Sequence, residues 1–296
     1  MSRVDDLNER LRGAVRHFWS VRGKQAASQG GGGEGDEARD RGGRSAVTGG
    51  KQMDGFVLLM HDLLVEAGLE SSMVYCSTRS GEDDESDQGE ATDHKKKAKR
   101  KKSDGPRLTQ TQLPGWFRAE KDWDLLVIVN GMLVAAIEFK TQVGSFGNNF
   151  NNRTEEALGN AADIKAAYRE GAFKPSLRPW LGYLMLLENS PKSTRPVKPV
   201  QPHFKVFPEF LTASYAKRYD ILMTKLVREE LYDAACFLLS PQEGGLDGEC
   251  TEPNPELSFR NFVASLVGHA SAIARMHPAP AESAQPSTRE ETKQDQ

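Results

Sequence analysis

The chain has 296 residues and a formal net charge of −3, with 38% hydrophobic and 27% charged residues. That length and composition fit a globular core of one large or two small domains, and no apolar run approaches the ~18 residues a membrane-spanning helix requires. The mild net charge excludes a protein uniformly coated in positive charge, yet it leaves room for a basic cleft on an acidic body.

Residues 1–23 are expected to form an N-terminal helix, with Leu7, Leu11, Val15, Phe18 and Trp19 near helical spacing between Val4 and Arg22. This terminus is charged and carries no apolar signal core, which points to a cytoplasmic protein. Residues 24–50 read as a flexible loop because Gly30 to Gly33 stand in a row within a charged stretch. From Met53 to Ala67 a second helix is expected, with Phe56, Leu59, Met60, Leu63 and Leu64 on one face and Gly68 as its stop. Ser72 to Cys76 reads as a strand. Residues 78–105 carry seven acidic side chains between Glu82 and Asp93, then seven basic ones between Lys95 and Lys102. No core can be built from such a run, so it reads as a charge-balanced, disordered insertion.

Trp123 to Val129 and Met132 to Lys140 are apolar, β-rich runs joined by Asn130-Gly131, a strong hairpin signal. Both faces of these strands are apolar, which places them inside a covered sheet. Thr154 to Arg169 reads as an Ala-rich helix and Leu181 to Leu187 as a buried strand. Beyond the Pro-rich stretch 191–208, a helix is expected near Ala213 to Leu231, a strand at Ala234 to Leu239 and a last helix at Phe259 to Ala274. Residues 275–296 read as a polar, disordered tail. Alternating helices and apolar strands over 51–274 predict one α/β domain, a central mixed β-sheet flanked by helices. Cys76, Cys236 and Cys250 are odd in number and far apart, which argues against a disulfide framework or a zinc site. The six histidines show no metal-ligand spacing.

Three charged residues stand where an apolar sheet should not tolerate them: Asp124 opens the first hairpin strand, and Glu138 and Lys140 end the second. Isolated charges there cost several kcal/mol unless paired or bound to metal. Two carboxylates side by side make a hard-oxygen site suited to Mg²⁺, with the backbone carbonyl of Phe139 as a further ligand. Lys140, one pleat beyond Glu138, points to the same face and can orient or help deprotonate an attacking water. Hairpin register decides whether Asp124 joins them. A regular two-residue turn pairs position 124 with 137 and puts Asp124 on the wrong face. A bulge in the turn or a bend near Asp124 brings all three together, so a nuclease site requires an irregular hairpin.

Directly after the lysine, Gly144-Ser-Phe-Gly-Asn-Asn-Phe-Asn-Asn-Arg153 packs four Asn and one Arg into ten residues. Asn and Arg read base edges and phosphates bidentately, which marks Asn148, Asn149, Asn151, Asn152 and Arg153 as candidate DNA contacts. The plainer alternative is an Asn-rich loop capping the next helix.

The stretches Trp123 to Val127, Val134 to Lys140, Phe146 to Gly159, Pro179 to Leu184, Pro202 to Phe210 and Ala213 to Tyr219 resemble the XhoI-type restriction endonucleases. The similarity extends from about Val4 to Ala274. It implies a restriction-endonuclease-like PD-(D/E)xK core. It also implies a homodimeric type II enzyme of the bacterial cytoplasm that uses Mg²⁺ to cut duplex DNA at a palindrome such as CTCGAG, beside a cognate DNA methyltransferase. Asp124, Glu138 and Lys140 then become the catalytic set, with Asp124, Glu138 and Phe139 holding the metal and Glu66 as a possible accessory carboxylate. The chain departs from the family in lacking a proline between Gly144 and Ser145 and in carrying the charged insertion. A different PD-(D/E)xK nuclease, or a decayed homologue that binds DNA without cutting, would share most of these features.

Overall fold

A computed structural model describes residues 3–29, 51–77 and 110–277. The Gly-rich segment 30–50, the charged insertion and the tail beyond 277 lie outside the described residues.

Five strands form the central sheet: β1 (Val74–Cys76), β4 (Leu125–Val129), β5 (Met132–Gln142), β6 (Trp180–Glu188) and β7 (Ala234–Ser240), in the order β1-β4-β5-β6-β7. The first two pairings are antiparallel and the last two parallel. The expected mixed, helix-flanked α/β sheet is therefore what the chain adopts. All residues of β6 but the last are buried, as expected of a strand covered on both faces.

One face is covered by α1 (Arg3–Gln29), α2 (Asp54–Glu66) and α5 (Phe259–Met276). Leu11, Val15, Phe18 and Trp19 give α1 its buried stripe, and the Trp19 indole N–H donates to Ser240 Oγ at 2.8 Å, tying the first helix to the last strand. This helix continues to Gln29, past the expected end near Arg22. The opposite face is covered by α3 (Phe146–Arg169) and α4 (Tyr215–Arg228).

On the α5 side, Gly182 of β6 lies beneath the edge-to-face pair of Trp180 and Phe262, whose centroids are 5.4 Å apart. A Cβ here would come within 2.4 Å of Trp180 Cζ3 and 2.8 Å of Phe262 Cζ. Replacing Gly182 with Ala is expected to cost about 1–3 kcal/mol by overpacking. Urea unfolding would show it as a lowered midpoint at unchanged slope.

Two further features depart from the sequence expectation. A small antiparallel ribbon, β2 (Gln112–Pro114) with β3 (Glu120–Asp122), stands apart from the main sheet. Its loop is held by Asp163 of α3: the N–H groups of Trp116 and Phe117 each donate to Oδ1 at 2.8 Å, and Arg118 Nε donates to Oδ2 at 2.7 Å. The second departure is α3, which begins at Phe146 rather than Thr154, so the Asn-rich segment forms its first two turns. Asn is a poor helix former, but Phe146 and Phe150 are four residues apart and pack on Tyr215 and Tyr219 of α4. That tertiary burial outweighs local propensity.

Candidate active site

The hairpin of β4 and β5 closes with Asn130 and Gly131 at φ of 49° and 76°, the two positive values of a type I′ turn. Val129 pairs with Met132 and Ile128 with Leu133, but Val127 pairs with Ala135. Val134 is the extra residue of a β-bulge, and it shares a face with its neighbour Ala135: both pack into the core under α1, α2 and α5. From there Leu125 pairs with Ile137, so one further step brings Asp124 level with Glu138. The hairpin is irregular, as a composite site demands. The irregularity lies one turn into the strands rather than at the turn itself, which is why the dipeptide alone did not locate it.

The bulge places Asp124, Glu138 and Lys140 on the α3–α4 face, beside Ala136 and Tyr183. Asp124 Oδ2 accepts the backbone N–H of Phe139 at 2.7 Å. Glu138 is 3% exposed and its carboxylate is held from both sides. Lys140 Nζ donates to Oε1, and Lys121 Nζ, from β3, donates to Oε2 at 2.7 Å.

Electrostatics separates the two carboxyls. Burial raises the Asp124 pKa, and the Glu138 charge raises it further, to about 6 despite the two lysines and the Phe139 N–H. Burial acts the same way on Glu138, but Lys140 and Lys121 outweigh it and hold that carboxyl below its ordinary value. For Lys140, burial works against the ammonium, yet the Glu138 and Asp124 charges prevail and keep its pKa raised. Two carboxyls of one cluster are thus driven apart, a mark of functional sites.

Among the described residues no group of three or more His, Cys, Asp and Glu gathers into a metal cage. The donors here fit a Mg²⁺ ion that keeps several of its waters and takes one or two carboxylates. Asp124 and Glu138 supply hard oxygens. The Phe139 carbonyl lies on the Asp124 side of β5, because N–H and C=O of one strand residue point the same way.

The other expected residues divide. Arg153 on α3 is close enough for its charge to act on Lys140 and Tyr183, and it pairs with Glu156 at 2.6 Å. Its Nε and the Tyr183 hydroxyl find no hydrogen-bond partner among the described residues. Asn148, Asn151 and Asn152 are exposed on the first turns of α3, and Asn149 is half-buried. Asn148 lines an open cleft of about 340 Å³ with Ser145, Gly147, Lys192, Arg195 and Tyr215. Glu66 is not brought to the cluster: it ends α2 on the other face of the sheet, where it pairs with Arg10 at 2.8 Å. Lys121 was not legible beforehand, because Glu120-Lys-Asp122 is a charged triplet with no apolar alternation to announce a strand.

A five-stranded mixed sheet between helical layers, with two carboxylates and a lysine on one face, defines a restriction-endonuclease-like fold. The sequence profile of the family described as "Restriction endonuclease XhoI" matches residues 33–81 and 98–252. The type II restriction enzyme BstVI of Geobacillus stearothermophilus is 45% identical over 244 residues, covering 80% of this chain and 95% of that protein. The type II restriction enzyme XhoI of Xanthomonas vasicola is 40% identical over 229 residues, 77% of this chain and 78% of its own. AbrI of Azospirillum brasilense, also a type II restriction enzyme, is 42% identical over 201 residues, 68% and 75% of the two chains. No solved structure matches the chain significantly. The chain belongs to the XhoI restriction endonuclease family.

Proposed function

We propose that the protein is a type II restriction endonuclease making Mg²⁺-dependent double-strand cuts at a short palindromic DNA site, CTCGAG. The observation that carries this reading is the bulged hairpin that sets Asp124 level with Glu138, beside Lys140, in a chain 40% identical to XhoI itself. Asp124, Glu138 and the Phe139 carbonyl would hold Mg²⁺, which when bound polarises the scissile phosphate and lowers the pKa of a coordinated water. Lys140 Nζ, held on the face of Glu138, orients the attacking water and offsets the charge that develops on the phosphate oxygens. Arg153 and the exposed Asn148, Asn151 and Asn152 lie on the turns of α3 that follow the catalytic strand, where a duplex seated on the site meets them. Lys192 and Arg195 add positive charge along the adjoining cleft, suited to backbone phosphates. A palindromic site is matched by a homodimer that presents this surface twice. Such an enzyme works in the bacterial cytoplasm beside a methyltransferase that protects the host's own sites.

Digestion of unmethylated plasmid with and without Mg²⁺, with the cut ends mapped, tests the reading. Discrete Mg²⁺-dependent fragments ending within CTCGAG, and none from plasmid methylated at that site, are expected. Discrete ends at another sequence would overturn the proposed site but keep the chemistry. Folded protein that binds the duplex and never cuts would overturn the catalytic reading.

A further inference from the structure

We propose that Lys121 is a resident counter-ion that occupies the metal-binding carboxylate of Glu138 in the DNA-free protein, so that metal binding is made conditional on DNA. The inference rests on the reading of Asp124 and Glu138 as metal-binding carboxylates. Lys121 is held in a built position rather than lying in a chance surface pair. Its ammonium donates to Glu138 Oε2 at 2.7 Å and to the Asp122 carbonyl at 2.8 Å, and it stands 4.6 Å from the centroid of the Trp123 ring. The side chain is only 13% exposed.

With Lys121 on one oxygen and Lys140 on the other, both oxygens of Glu138 face an ammonium group. Counting Asp124, the cluster carries two negative and two positive charges and is balanced with no metal present. A divalent cation entering it would meet both ammonium groups at close range, with neither oxygen of Glu138 left free to bind it. One lysine has to give way. Lys140 is fixed in β5 one pleat from Glu138 and cannot leave that face. Lys121 belongs to the separate β2–β3 ribbon, and its four-carbon stem lets the ammonium swing without moving the sheet. A scissile phosphate arriving with the DNA offers Lys121 an alternative anion just as it brings the negative charge that makes room for the metal. Lys121 therefore acts as a positioning residue that keeps metal and water from assembling on Glu138 before substrate is in place.

Calorimetric titration of Mn²⁺ into DNA-free protein separates this role from a structural one. The Lys121→Gln protein is expected to bind Mn²⁺ about 10-fold or more tightly than the parent, whereas Lys121→Arg, which keeps the charge, stays near the parent value. A duplex with a slowly cleaved phosphorothioate at the cut position should tighten Mn²⁺ binding strongly in the parent and only weakly in Lys121→Gln. Lys121→Met, which keeps the aliphatic stem over Trp123, provides a second neutral variant if glutamine prevents folding. Equal Mn²⁺ affinity in the parent and both neutral variants, with Asp124→Asn clearly weaker, would overturn the inference and leave the metal reading standing. Affinity unmoved by Asp124→Asn would overturn the metal reading and this inference together.

Discussion

The Glu138→Gln protein is expected to cut plasmid DNA at least about 10³-fold more slowly than the parent, and to be less stable as well. The carboxylate faces two ammonium groups at once, Lys121 at 2.7 Å and Lys140 from the same strand. Glutamine keeps the shape and removes the charge, leaving two lysines, 13% and 21% exposed, against a neutral amide. Uncompensated charges in such surroundings cost about 3–5 kcal/mol. Cleavage assays and urea unfolding of the same preparation read the two effects separately. A cleavage rate within about 10-fold of the parent would move the chemistry away from this cluster.

The layered fold was readable because its signals were long and periodic. Continuous apolar runs at Met132 to Lys140 and Leu181 to Leu187 announced strands covered on both faces, and β5 and β6 lie in the sheet interior. Tyr219 of α4 is fully buried with its hydroxyl on Gln142. Gln142 in turn donates to the Gly144 and Ser145 carbonyls, which fixes the turn from β5 into α3. What failed was local chemistry overridden at a distance. The Asn-rich segment looks like a loop by propensity, and only the aromatic residues of α4, some seventy positions away, make it helical.

At the site, residue types were legible and their arrangement was not. Asp124, Glu138 and Lys140 stood out because charge does not belong in an apolar strand. Their sharing of a face depends on one extra residue, Val134, whose type says nothing about bulging. Lys121 had no signal at all, since its strand has three residues and packs through a ribbon whose loop is held by Asp163. Glu66 enters only through the family resemblance, as an upstream helical carboxylate, and its helix covers the opposite face.

Asp124 should give the opposite pairing of effects from Glu138. Asp124→Asn is expected to reduce cleavage by about 10³-fold while making the metal-free protein more stable above pH 6 by about 1–3 kcal/mol. The sign follows from the raised pKa. Burial and the Glu138 charge lift this carboxyl from an ordinary 3.8 to about 6 in the folded protein, so the folded state holds the proton more tightly than the unfolded chain. The group's favourable contribution is complete below about pH 4 and is lost as pH rises through about 6. Above that the fold carries a poorly solvated charge, which asparagine removes. Unfolding measured from pH 4 to 8 should therefore show the variant's advantage growing up to about pH 6 and level beyond it. Activity runs the other way. Metal binding needs the ionised carboxylate, so at low Mg²⁺ the parent's cleavage should fall as pH drops below about 6, and higher Mg²⁺ should push that acid limb lower by competing with the proton. An acid limb that ignores Mg²⁺ concentration, or an Asn variant that is less stable at pH 8, would mean that Asp124 is held for the fold. The opposite outcome identifies a charge the fold tolerates at a cost because the chemistry requires it.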